Sequence, residues 1–311
     1  MAPGPRHGLL RNGVLVGLAS HIAALRNPRR GDLVAAAAET GPGVHAALGA
    51  MRDAMWATAD ERTGVNGRGV LTEMPRIGAD ALDKCMRMDP GTFGERYARF
   101  MLSRGIRPEG RPPVRLIHDE DAGGGADETS SAGGWDEAVA EQSVDRVSSA
   151  ASPASTAAAA AAVEETRSPP TSAGEVPLWY VMCRYREVHD MWHVLFDVPT
   201  DLAGETMLKL IEYRQTGLLT PLAATAAGIV NSRTHRQRLR MLSHAQRLPW
   251  AWRVGGECAH LMSIEYEKFF ESDIEECRRL WRIETCPYEN ARQRAKELEL
   301  DLASLGRSAG A

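Results

Sequence analysis

His189 and His193 stand four residues apart, and that spacing is where this sequence can do chemistry. On an α-helix, residues i and i+4 lie on one face about one 5.4 Å pitch apart, so both imidazoles reach a single metal ion. Asp190 sits on the adjoining side of the same turn, and Glu205 follows after a break in the chain. Two imidazoles and two carboxylates form a nitrogen–oxygen donor set that suits zinc (Zn2+) and also admits iron (Fe2+) or manganese (Mn2+). Position 190 is Asp, so this is not the H-E-x-x-H pattern of metalloproteases and their general base is missing. In a chain with nine histidines an i,i+4 pair by itself is a weak signal; the two carboxylates sharpen it.

The elements that must position these residues are legible around them. Leu178, Val181, Met182, Tyr185, Val188, Trp192, Leu195 and Phe196 recur at three- and four-residue steps, the mark of a helix with one buried face over 177–197. Pro199 disfavours helix before it, and Thr200 or Asp201 can cap a second helix over 201–215 that carries Glu205 in its first turns. Further helical periods fall at 31–40, 43–58, 92–104, 218–230, 233–247, 259–282 and 288–304. Alternating strand patterns are nearly absent, and there is no internal repeat. The expected fold class is all-α, a single helical domain with a long insertion.

Composition sets the insertion apart. The chain has 311 residues, 43% hydrophobic and 25% charged, with a formal charge of −4. Residues 122–176 are rich in Ala, Ser and Gly, lack a hydrophobic period, and hold nine acids against two arginines. Such a stretch buries too little apolar surface to offset its ordering entropy, so it reads as a disordered insertion dividing the domain into 1–121 and 177–311. Without it the balance turns slightly positive, and the N-terminus carries Arg6, Arg11, Arg26, Arg29 and Arg30 before the first acid, Asp32. That start is either a basic amphipathic helix for an anionic membrane or a targeting signal, or else the first helix of the domain. The charge is too small to suggest nucleic-acid binding. The run Gly8–Ala24 is interrupted by Arg11 and Asn12, and the apolar stretch 218–230 contains Pro221, so no membrane span is expected. Five scattered cysteines without C-x-x-C argue against a disulfide framework.

The stretch RYREVHDMWHVL, followed by PTDLAGE, resembles the signature of the ubiquinone biosynthesis family called coenzyme Q protein four: H-D-x-x-H, eleven intervening residues, then Glu. LTEMPRI at 71–77, FGERYARFM at 93–101, QTGLLTPLAATAAG at 215–228, PWAWRVG at 249–255 and EYEKFFESDIEECRRLW at 265–281 carry the resemblance through most of the chain outside the insertion. The family implies zinc at His189, Asp190, His193 and Glu205. It also implies a peripheral position on the matrix face of the mitochondrial inner membrane, or a bacterial membrane for a prokaryotic source. The implied reaction is C1-decarboxylation of a 4-hydroxy-3-methoxy-5-polyprenylbenzoate to a 2-methoxy-6-polyprenylphenol, with or without coupled hydroxylation. The implied partners are that polyprenylated benzoate and other ubiquinone biosynthesis enzymes in a multi-subunit complex.

On that view Arg184 and Arg186 position an anionic substrate and Glu187 relays a proton, although Arg186 and Asp190 equally suit a solvated i,i+4 pair. Leu218, Leu219, Leu222, Ala223, Ala226, Ala227, Ile229 and Val230 suit either a groove for the isoprenoid tail or a buried core helix. Two rival functions stand beside the enzyme. One is a non-catalytic lipid-binding scaffold whose metal ties two helices together. The other is a His-Asp phosphohydrolase, which needs further ligands that His118 and Asp119 do not convincingly supply.

Overall fold

The computed structural model describes residues 36–111, 113–117, 168–230 and 247–287. The expected helices at 233–247 and 288–304, the basic N-terminal segment and nearly all of the 122–176 insertion lie outside these residues, as do His118 and Asp119. The described residues within 1–119 and 171–311 belong to one compact unit.

Among the described residues the secondary structure is helical, with isolated β-bridges only (Asp60–Val65, Val65–Ile264 and Thr92–Asp273). In chain order the α-helices are α1 (Val44–Ala57), α2 (Gly67–Glu73), α3 (Ala79–Cys85), α4 (Phe93–Ser103), α5 (Leu178–Phe196), α6 (Leu202–Thr216), α7 (Leu219–Val230), α8 (Leu248–Glu257) and α9 (Ile274–Leu280). Residues 36–39 add one helical turn. The short α2 and α3 have no sustained apolar period. The start of α2 is set locally by Asn66, whose side chain accepts the Gly69 N–H.

The segment 259–282, whose periodicity predicts one helix, is instead two 3-10 turns (Leu261–Ser263 and Tyr266–Phe269) followed by α9. Asp273 restarts the helix by accepting the N–H groups of Glu275 and Glu276. The spacing that suggested a continuous helix belongs to an aromatic cluster: Tyr266, Phe269, Phe270 and Trp281 meet one another and Phe93 of α4 at centroid distances of 5.4–6.0 Å.

Helix α5 runs through the centre. Its sequence suggests one buried face, but 14 of its 19 residues are buried, including Arg184, Glu187, Asp190 and His193. A polar group taken from water needs a partner, and Arg184, Glu187 and Asp190 are each committed to a contact across the fold. Helices α1 and α4 pack against α5, α6 reaches it through Glu205 and Glu212, which meet His193, His189 and Tyr185, and α6 is covered in turn by α7 and α8. The covers sit close because small residues line the seams. A Cβ on Gly228 of α7 would stand 2.1 Å from Thr206 Oγ1, and one on Gly255 of α8 would stand 3.1 Å from Ile211 Cα.

Candidate metal centre

The turn between α5 and α6 brings the candidate ligands together. Helix α5 ends as expected before Pro199: Asp197 takes a left-handed conformation (φ 58°), and the N–H groups of Asp197 and Val198 both reach the His193 carbonyl. Arg278 supplies a cation to the last carbonyls, donating to Val194 and Leu195 at 2.9 and 2.8 Å. Asp201 then caps α6 by accepting the Gly204 N–H at 2.8 Å. Glu205 therefore enters on the first turn of α6, facing the last turns of α5.

The two imidazole rings stand 4.9 Å apart between centroids, nearly perpendicular. His193 Nε2 lies 3.1 Å from Glu205 Oε1, and His189 Nε2 lies 3.9 Å from Glu205 Oε2. Ligand atoms from His189, His193 and Glu205 all fall within 4.8 Å of one another. Metal bonds of about 2.0–2.1 Å at tetrahedral angles put neighbouring ligand atoms roughly 3.3 Å apart, so these separations fit one ion.

His193 provides the sharper test of fit. Its Nδ1 faces the Val198 carbonyl at 3.0 Å, and a carbonyl can only accept, so Nδ1 carries a proton, and in the neutral ring Nε2 is left with the lone pair. That Nε2 is buried and, despite its closeness to Glu205, is not aligned with any hydrogen-bond partner. A buried lone pair facing a carboxylate is costly unless a cation lies between them. Phe100 of α4 stacks on the same ring at 5.3 Å and closes that side. Glu205, 35% exposed, leaves the other side open.

Charge at the site is strongly coupled. Burial alone would raise the pKa of Glu205, but positive charge on His193, His189 and Lys209 holds it down at about 2, the imidazole part of that pull being present only while the rings are protonated. Glu212, fully buried two turns further along α6, is likewise held at about 2 against its own burial by Lys209 and His189. For His189, burial and Lys209 favour the neutral ring, while Glu212 and Glu205 outweigh them and raise its pKa.

The remaining candidates go elsewhere. Asp190, expected as a fourth ligand, accepts from Arg111 Nη2 at 2.9 Å, with both side chains largely buried. The same guanidinium also bonds Tyr97 Oη at 3.2 Å and the Ile77 carbonyl at 3.3 Å. A carboxylate held by a partly desolvated arginine is not free to swing to a cation without breaking that pair. Arg184, expected to hold substrate, is fully buried and pairs with Glu267 and the Ile264 carbonyl. Glu187, expected to relay a proton, is occupied by Arg76 Nε at 2.7 Å and the Ile77 N–H at 3.2 Å. Arg186 bonds Glu39 at 2.7 Å rather than Asp190. Sequence reasoning missed Arg111, Lys209 and Glu212. The last two share a helix face with Glu205 at the spacing E-x3-K-x2-E, a signal present in the sequence; Arg111, in an irregular Pro/Arg segment, offers none.

Comparison with known proteins agrees with this architecture. A family model described as "Coenzyme Q (ubiquinone) biosynthesis protein Coq4" matches residues 9–123 and 160–287. The zebrafish (Danio rerio) protein named "Ubiquinone biosynthesis protein COQ4 homolog, mitochondrial" is 30% identical over 275 residues, covering 88% of this chain and 77% of its own. A mosquito (Culex quinquefasciatus) protein named "Ubiquinone biosynthesis protein COQ4 homolog 1, mitochondrial" is 31% identical, covering 87% and 75%. A crystal structure of a Nostoc punctiforme protein shares the fold with a TM-score of 0.51 at 15% identity, covering 85% of this chain and 95% of that one.

Proposed function

The chain belongs to the coenzyme Q (ubiquinone) biosynthesis protein Coq4 family, and from that premise we propose that it is a metal-dependent decarboxylase of the pathway. The proposed substrate is a 4-hydroxy-3-methoxy-5-polyprenylbenzoate and the product a 2-methoxy-6-polyprenylphenol. The observation that carries the reading is the convergence of His189 Nε2, His193 Nε2 and Glu205 on one small volume, with His193 Nε2 buried and lacking an aligned partner. Two imidazoles and one carboxylate are a donor set for zinc with a position left open, and the same set also serves iron(II). We take these three as the ligands and Asp190 as an outer residue held by Arg111.

In the reaction the bond from C1 to the carboxyl carbon breaks, carbon dioxide leaves, and the electron pair left on C1 takes up a proton. A divalent cation, when bound, supplies Lewis acidity toward the substrate's carboxylate or phenolic oxygen. The chain's own residues prepare the place for it. Lys209 helps to keep Glu205 ionised. Phe100 shields His193 from water on one side. Lys209, one turn past Glu205, neutralises the buried Glu212 behind the site. Arg184 and Glu187 support the helix rather than the chemistry, since both are committed to internal partners.

For the isoprenoid tail and a peripheral place at the mitochondrial inner membrane, the supporting feature is α7. Leu219, Leu222, Ile229 and Val230 of that helix are exposed, whereas Pro221, Thr225 and Gly228 face inward toward α6. Among the described residues no helix is long and apolar enough to cross a membrane.

The test is turnover of a short-tailed prenylated 4-hydroxy-3-methoxybenzoate by the metal-loaded protein and by His193→Ala. Carbon dioxide release that requires His193 supports the enzyme. Metal-replete, folded protein without turnover supports the scaffold reading instead, in which the same ion serves only to tie α5 to α6.

A further inference from the structure

Glu212 is a buried carboxylate with three partners and no access to solvent. His189 Nδ1 lies 2.8 Å from its Oε1, Lys209 Nζ lies 2.8 and 2.9 Å from its two oxygens, and the Tyr185 hydroxyl donates to Oε2. The spacing makes this a single device. Tyr185 and His189 are one turn apart on α5; Glu205, Lys209 and Glu212 follow one another along one face of α6. Each helix thus offers a group to the candidate centre and a group one or two turns behind it.

We propose that Glu212, held in place by Lys209 and Tyr185, is the positioning residue that fixes His189 with its proton on Nδ1 and its Nε2 lone pair toward Glu205. The inference rests on the metal reading above and adds a residue outside the expected ligand set. A carboxylate can only accept, so a neutral His189 must donate from Nδ1 to satisfy it, and the other nitrogen is left as the ligand atom. The rigidity comes from the other two partners. Tyr185 and Lys209 occupy the remaining lone pairs of Glu212, so the carboxylate cannot rotate away without abandoning a buried cation. His193 obtains the same orientation from a backbone carbonyl, which no substitution removes. His189 depends on a side chain, and that makes the difference testable.

The outer partner of a metal-bound histidine is worth about 10–100-fold in metal affinity. The experiment compares wild type with Glu212→Gln. A second variant, Lys209→Met with Glu212→Leu, removes the buried charge pair together so that neither charge is stranded. In the metal-free proteins at alkaline pH, 15N chemical shifts of the histidine rings report the tautomers. Titration with Zn2+ or Co2+ against a chromophoric chelator gives affinity, and the Co2+ absorption bands give ligand geometry.

The expected result is an Nδ1–H tautomer for His189 in wild type. In the variants it becomes a mixture, affinity falls 10–100-fold and the Co2+ bands change. An Nε2–H tautomer for His189 in the wild-type protein overturns the proposal, as do variants with unchanged tautomer, affinity and spectrum. Failure of wild type itself to bind either ion refutes the metal reading, while the tautomer comparison still decides whether Glu212 sets the ring.

Discussion

Replacing Gly204 with alanine tests how the site is built. Gly204 precedes Glu205, and a Cβ placed on it would stand 1.9 Å from the Pro199 carbonyl oxygen and 2.8 Å from the carbonyl carbon. Real Cβ atoms essentially never come within 3.0 Å of a heavy atom outside their own residue and its chain neighbours, so about 1.1 Å must be found in backbone rather than in a flexible side chain. The turn from His193 to Glu205 is short and pinned at both ends, by Asp197 and Val198 on the His193 carbonyl and by the Asp201 cap. Much of that displacement therefore reaches Glu205. Metal–ligand distances tolerate roughly 0.2 Å, so a shift several times larger removes a ligand from range.

The expected cost in stability is about 1–3 kcal/mol from overpacking, and metal affinity falls at least about tenfold, or roughly 1.4 kcal/mol. Urea unfolding of the metal-free protein measures the first and chelator competition the second. Gly49→Ala is the control. That glycine lies inside α1 with nothing within 4 Å of a new Cβ, so the same methyl group there stabilises by about 0.5–1 kcal/mol. Wild-type stability and affinity in Gly204→Ala would refute the claim that the Pro199–Gly204 contact sets Glu205.

Other outcomes follow from contacts away from the ligands. Glu267→Ala strands the fully buried Arg184 and should cost about 3 kcal/mol or more in urea unfolding, with metal affinity within about twofold of wild type. Asp201→Ala removes the α6 cap and should cost about 1 kcal/mol, seen as a lower urea midpoint with an unchanged slope. His260 is kept neutral by burial, which lowers its pKa below 6.5, and its Nδ1 lies 2.6 Å from the buried Ser263 hydroxyl. The unfolded chain therefore binds a proton that the folded one refuses, so stability from this group is full above pH 6.5 and is lost as pH falls through the folded value. His260→Asn should lose less stability than wild type between pH 7.5 and 5.5; equal losses would show that His260 is not the group responsible.

What could be read in the sequence was local. The helix near 177–197, its end before Pro199, a cap at Thr200 or Asp201 and the presentation of Glu205 follow from periodicity and capping within thirty residues, and the structure has the helix at 178–196 with the cap at Asp201. The break-up of 259–282 was hidden because aromatic residues spaced for a helix serve a cluster around Phe93 instead. The fate of the polar residues on α5 was also hidden. Whether Asp190 is a ligand or an arginine's partner depends on Arg111, 79 residues earlier, and the roles of Arg184, Glu187 and Arg186 are set by Glu267, Arg76 and Glu39 at separations of 83 to 147. No local spacing encodes such pairs. Glu212 was nearer to hand, two turns past Glu205 on the same face, but a carboxylate on a helix says nothing of its burial until the helix is packed.

The most direct test of the centre is anomalous X-ray diffraction from crystals of the zinc-loaded protein, recorded on both sides of the metal edge. One ion per chain is expected, about 2.0–2.2 Å from His189 Nε2, His193 Nε2 and a Glu205 oxygen, with Asp190 still on Arg111. An ion bound through Nδ1 of either histidine, an ion coordinated by Asp190 in place of Glu205, or no ion between α5 and α6 would contradict it.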